Sequence, residues 1–136
     1  MSVVRQLITR LRRDDRGALT LSYVAVLPFV FLFLMVLIQA AFWFLARDAA
    51  IAAARQGADA ARALNAPISA GPAAALAFAH QAGEGYLLYP VATVTGTCGS
   101  NATISVTVSG HVPSFVPGLV VRVSETVQSP AEEFRS

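Results

Sequence analysis

From Gly17 to Ala46 the chain runs for thirty residues without a charge, between Arg16 and Arg47. About 20 apolar residues span a bilayer, and at ~1.5 Å per residue this run is long enough to do so as one helix. Tyr23 and Trp43 stand twenty positions apart, ~30 Å along a helix and close to the hydrocarbon thickness. Rings of that kind favour the two water–lipid boundaries. The pattern predicts a transmembrane helix over 18–46.

Beyond it the apolar positions thin out. Residues 47–64 (RDAAIAAARQGADAARAL) are rich in alanine and free of proline, so the helix is expected to continue out of the membrane. Asp48, Arg55, Asp59 and Arg62 share one face, with Asp59 spaced to pair with either arginine. Ile51, Ala54, Ala58 and Leu64 offer small or apolar contacts opposite. Asn65-Ala66-Pro67 ends the helix, because proline and the residue before it disfavour its continuation. Gly71-Pro72 opens a second, shorter helix, about Ala73 to Ala82, with Pro72 in its first turn, and Gly83-Glu84-Gly85 closes it.

The period then changes to two. Val91–Thr95 reads as a short strand. Thr103–Ser109 alternates Ile104, Val106 and Val108 against hydroxyl residues, and Val120–Val127 sets Val121, Val123 and Val127 on one side. Gly96–Asn101 reads as a hairpin connection, His111–Gly118 as a longer loop, and Ser129–Ser136 as a loose tail. The expected fold is α+β: a long N-terminal helix, a short second helix and an antiparallel sheet of about three strands. One sheet face needs cover, and the outer part of the first helix is the nearest cover available. The expected divisions are a basic leader (1–17), the transmembrane helix (18–46), its outer continuation (47–66) and a small α+β module (67–136).

Charge refines this picture. All ten basic residues are arginine. Residues 1–17 hold five Arg and two Asp, net +3, whereas the rest holds five Arg and six acids, net −1. The high pI therefore belongs to the leader, and no basic surface points to nucleic acid. Arg12, Arg13 and Arg16, with Arg47 beyond, flank the span, and the positive-inside rule holds the leader in the cytoplasm and the module outside. Val4, Leu7, Ile8 and Leu11 suit a basic amphipathic helix on an anionic leaflet; a disordered flank that only sets topology suits them equally. A cleaved secretory signal has an apolar stretch of only ~7–15 residues, whereas this one is about twice that length and ends in Phe42-Trp43-Phe44-Leu45. Within the span Pro28 removes a backbone donor and loosens the helix. Gln39, the one amide there, is placed to bond to another helix or to interfacial water.

Arg16-Gly17-Ala18 puts a glycine immediately before the helix. The stretch from Gly17 through Leu19, Ser22 and Tyr23 to Pro28 resembles the start of TadE-like proteins, the pilin-like subunits of tight-adherence (Flp-type IV) pilus systems. Their pattern is a glycine after basic residues, a Glu five positions on, and a Pro six beyond that. Gly17 and Pro28 match, and Ser22 stands where the Glu is expected. The resemblance continues weakly along most of the chain. It implies a pilin-like fold, cleavage between Gly17 and Ala18 by a prepilin peptidase, and a bacterial cytoplasmic-membrane location. The partners it implies are the peptidase, major and minor pilins, the membrane assembly platform and the lipid bilayer. In such proteins the Glu is thought to neutralise a neighbouring subunit's amino terminus, a charge Ser22 does not supply.

No catalytic constellation emerges. His80 and His111 lack ligands at metal spacing, no nucleophile elbow occurs, and Gly96-Thr97-Cys98-Gly99 lacks the lysine of a phosphate loop. One cysteine rules out an intrachain disulfide; Cys98 is open to pairing with another chain or to a plain packing role. No cofactor is expected. The function the resemblance implies is that of a minor pilin or pseudopilin, which helps assemble, prime or cap the fibre of a pilus machine. An uncleaved, signal-anchored module that binds another membrane or envelope protein stands second, and a membrane-anchored enzyme third.

Overall fold

The computed structural model describes residues 15–63, 66–96, 103–116 and 118–130, with side chains in the first helix from Tyr23 onward. Arg12, Arg13, the expected leader helix, Leu64, Asn65, Cys98 and the tail from residue 131 lie outside the described residues. The order is α1 (Asp15–Arg62), α2 (Ala70–Ala82), β1 (Leu88–Gly96), β2 (Thr103–Val112) and β3 (Val121–Pro130). The chain divides between Ile38 and Gln39 into two units, and α1 crosses that division.

In the first unit, Tyr23 to Ile38 is apolar all round. Every side chain there is exposed except the half-buried Met35. Phe29, Phe31, Phe33 and Leu27 are each 60% exposed or more. A helix that is hydrophobic on all sides belongs in an apolar surrounding. It is long and apolar enough to cross a membrane and lies near the N-terminus, which fits a single-pass anchor. The helix continues through Pro28; tertiary context in membrane helices re-satisfies the groups that proline frees.

The second unit, from Gln39, is an α+β module with the sheet order β1-β2-β3, antiparallel throughout. Its core combines Ala46, Ala49, Ala50, Ala53, Ala54, Ala58 and Ala61 of α1 with Ala75 and Ala79 of α2, Leu87, and the sheet residues Ile104, Val106, Val108, Val112 and Val123. The spacing on α1 is three and four, the repeat of one helix face. Alanine and glycine are what allow backbones to come close. A methyl placed at Gly57 would stand 2.8 Å from Ala75 Cβ, 2.8 Å from the Gly71 carbonyl oxygen and 3.0 Å from Val106 Cγ1. One placed at Gly71 would stand 2.9 Å from Ala61 Cβ. The two helices and β2 therefore meet at glycines.

The face of α1 that packs is centred on Ala46, Ala50, Ala53 and Gly57, so Ala54 and Ala58 are buried as expected while Ile51 is only half-buried. Asp48, Arg55, Asp59 and Arg62 are exposed, and Arg62 Nη2 lies 2.8 Å from Asp59 Oδ1. Helix α1 ends at Arg62, two residues before the expected Leu64. Helix α2 starts at Ala70, three residues before the expected Ala73, and Pro72 still lies in its first turn. Gly83 N–H closes α2 on the Ala79 carbonyl at 2.9 Å.

All three strands are longer than expected. β1 begins at Leu88, paired with His111, and a bulge before Val91 absorbs Tyr89, whose φ is +50°. β2 runs on through His111 and Val112, which pair with Arg122 and Val121. Ser129 and Pro130 belong to β3 and not to a loose tail: Ser129 is buried opposite Ile104, and Pro130 pairs with Thr103. Proline is admissible there because β3 is an edge strand and Pro130 is its last residue.

Candidate functional site: the base of the module

The residues singled out in the sequence fall into two groups. Gly17, Ala18 and Ser22 lie in the helical backbone of α1, as does Arg16; their side chains lie outside the description. Tyr23 is 74% exposed, and Pro28 sits inside the same exposed stretch. The second group, Gln39, Trp43 and Arg47, lies in the second unit, where Gln39 and Arg47 meet partners far along the chain.

Gln39 makes its bonds to the loop after β2. Its Nε2 donates to the Pro113 carbonyl at 3.2 Å, and its Oε1 accepts from Phe115 N–H at 3.3 Å. Donor and acceptor of one amide are thus both used on the loop between β2 and β3. One turn on, Phe42 meets Phe115 edge to face, centroids 5.7 Å apart. The loop is folded on itself by local bonds. Ser114 Oγ accepts from Val116 N–H at 3.2 Å, and Leu119 N–H donates to the Val116 carbonyl at 3.2 Å. Gly118 takes φ +83° in that turn, a conformation that favours glycine.

Trp43 is half-buried beside Phe44, centroids 5.1 Å apart, and the Arg47 guanidinium carbon lies 5.7 Å from the Trp43 ring centre. Arg47 Nε donates to Glu125 Oε1 at 2.8 Å, with side chains 44% and 25% exposed. A pair so open to solvent contributes at most ~0.5–1 kcal/mol. Its value is positional, since it ties the outer part of α1 to β3. Arg47 is therefore engaged with the module as well as flanking the span.

Sequence reasoning missed Glu125, although strand parity places it on the inner face with Val121, Val123 and Val127. Phe115 and Val116 fall in the expected loop and Val120 at the start of the expected third strand, but Phe115, Val116, Leu119 and Val120 all lie between β2 and β3 and are 54%, 51%, 47% and 67% exposed. The opposite sheet face carries Thr93, Thr107 and Thr126 in register, with the Thr107 and Thr126 hydroxyls 2.8 Å apart. His80 is exposed, and the buried Nδ1 of His111 has no hydrogen-bond partner among the described residues. No group of three or more His, Cys, Asp or Glu side chains gathers among the described residues. No family model, curated protein or solved structure matches the chain.

Proposed function

We propose that the chain is a pilin-like membrane subunit, a minor pilin or pseudopilin of a tight-adherence pilus machine. The observation that carries this reading is the change in character along one continuous helix. Its N-terminal part, from Tyr23 to Ile38, presents large apolar side chains on every side. Its outer part is docked through alanines and Gly57 into a small α+β module. Such a helix can pack among lipids before assembly and among like helices afterwards, while the module makes the contacts outside. The resemblance from Gly17 to Pro28 supplies the rest of the support.

The working cycle follows from charge. Prepilin peptidase removes the leader after Gly17 and frees the amino terminus of Ala18. A carboxylate at the fifth residue of a neighbouring subunit can then pair with that terminus in a poorly solvated core, where an uncompensated charge is costly. Ser22 accepts no such role in return. The subunit receives the next one but does not join behind another, which suits the tip or base of a fibre, or a small priming complex.

Mass spectrometry of the mature N-terminus tests the processing step. A chain beginning at Ala18 is expected, and replacing Gly17 with a bulky residue should block the cut. An intact leader in cells with an active prepilin peptidase overturns the pilin reading. It would favour the second reading, which the missing carboxylate at Ser22 supports: an uncleaved anchor whose module binds another envelope protein. Immunogold labelling tests position, with few copies expected at fibre ends and even labelling along the shaft opposing the tip or base assignment.

A further inference from the structure

We infer that the loop following β2, Pro113 to Val120, is a second membrane contact that seats the base of the module in the outer lipid–water interface. This deepens the anchor reading given above and rests on it. From Pro113 to Val121 the sequence PSFVPGLVV has no charge, and the first charged residue after it is Arg122. Phe115, Val116, Leu119 and Val120 leave about half or more of their surface exposed. Apolar side chains grouped on one loop mark a contact surface more often than scattered ones do.

Depth identifies the occupant as lipid. About 20 residues at ~1.5 Å each fill a hydrocarbon core of ~30 Å. Tyr23 and Trp43 bracket that length along the helix, and Gln39, the only amide of the uncharged run, lies one turn before Trp43. The interfacial layer therefore falls at Gln39–Trp43, and the loop is tied to this level by the Gln39 amide and the Phe42–Phe115 ring contact.

Part of the loop's backbone is already paired, which lowers the cost of entering a poorly hydrated layer. Gln39 pairs the Pro113 carbonyl and the Phe115 N–H, Ser114 Oγ pairs the Val116 N–H, and Leu119 N–H pairs the Val116 carbonyl. Pro113 and Pro117 bring no N–H at all. Gln39 is thus the residue that equips the loop for this layer, and the module is held to the membrane at two points.

The test uses the full chain with Cys98→Ser and one new cysteine, Val36→Cys, Val116→Cys or Thr93→Cys, labelled with an environment-sensitive fluorophore. The protein is placed in vesicles of phosphatidylcholine and phosphatidylglycerol that carry nitroxides at shallow or deep acyl positions. The label at 36 should be quenched best by the deep nitroxide, and the label at 116 by the shallow one with blue-shifted emission. The label at 93, on β1 away from the loop, should be unquenched and water-like. Adding Gln39→Leu makes the helix more apolar yet unties the loop, so quenching at 116 should fall while quenching at 36 stays. A label at 116 that matches 93 while 36 is quenched overturns the loop contact and leaves the anchor standing. Blue-shifted emission at 116 without lipid quenching means a protein covers the loop, and overturns it too. If 36 is also unquenched, the anchor fails and the loop contact fails with it.

Discussion

Gly57→Ala sets two effects of opposite sign against each other. In an exposed helix interior the change reduces unfolded-state freedom and stabilises by ~0.5–1 kcal/mol. Here the new methyl meets Ala75 Cβ and the Gly71 carbonyl oxygen at 2.8 Å and Val106 Cγ1 at 3.0 Å. Carbon pairs rest at ~3.5–4.0 Å, so Ala75 Cβ must retreat by roughly 0.7 Å or more and Val106 Cγ1 by roughly 0.5 Å or more. Two of the three obstructing atoms are a main-chain oxygen and a Cβ fixed to the main chain, and the third belongs to the fully buried Val106. None is the free end of a flexible side chain. Overpacking of this kind costs ~1–3 kcal/mol, which leaves a net loss of about 1 kcal/mol after the helix gain is subtracted. For a unit of this size that lowers the midpoint of thermal unfolding by ~4–8 °C. Circular dichroism of the detergent-solubilised chain reads the shift, and Gln56→Ala on the exposed face serves as the near-neutral control. Gly57→Ala combined with Ala75→Gly removes one obstruction, and the pair should be less destabilising than the sum of its parts by ~0.5 kcal/mol or more. A Gly57→Ala chain that gains stability, as at an open helix site, would refute the close approach of α1, α2 and β2.

Other expectations follow from the contacts and core of the second unit. A double-mutant cycle between Arg47→Met and Glu125→Gln should give a coupling of ~0.5 kcal/mol that fades with added salt, as suits a half-exposed pair; a coupling of several kcal/mol would mean the pair is far more buried than its solvent exposure implies. Gln39→Leu removes the acceptor for Phe115 N–H, and amide exchange at Phe115 should quicken about fivefold to tenfold, the equivalent of ~1 kcal/mol, while exchange at Val106 stays unchanged. Val106→Ala deletes two methylene-sized groups from a fully buried position and should cost ~2 kcal/mol by chemical denaturation.

The number and kind of elements were legible because period alone distinguishes them: an uncharged thirty-residue run, an alanine-rich helix, and clean alternation from Thr103 to Ser109. Their ends were less so, for identifiable reasons. Tyr89-Pro90 has the chemistry of a turn, yet a bulge accommodates both and lets Leu88 pair with His111. Ser129-Pro130 looks like a strand terminator, but an edge strand can lack a donor at its last residue. The packing face of α1 is offset from the expected one because alanine and glycine differ too little in hydropathy to mark a seam; only contact with Gly71, Ala75 and Val106 identifies Gly57 as its centre. Glu125 was within reach, since parity alone puts it among the inward valines. The ties from Gln39 to Pro113 and Phe115 span more than seventy positions, and no local pattern encodes them.

The two stretches of α1 should differ sharply in how they tolerate a change of length. Each residue added to or removed from an α-helix turns everything beyond it by about 100° and moves it by ~1.5 Å. Between Tyr23 and Ile38 the exposed side chains are apolar on every side, so a rotated helix presents lipid with much the same surface and shifts only its depth. Between Ala46 and Ala61 a single insertion would swing Gly57 out of its place against Gly71 and Ala75 and bring the bulk of a neighbouring residue there instead. Natural variation in length should therefore accumulate before Gln39, with the seam beyond it conserved in count even where its residues change.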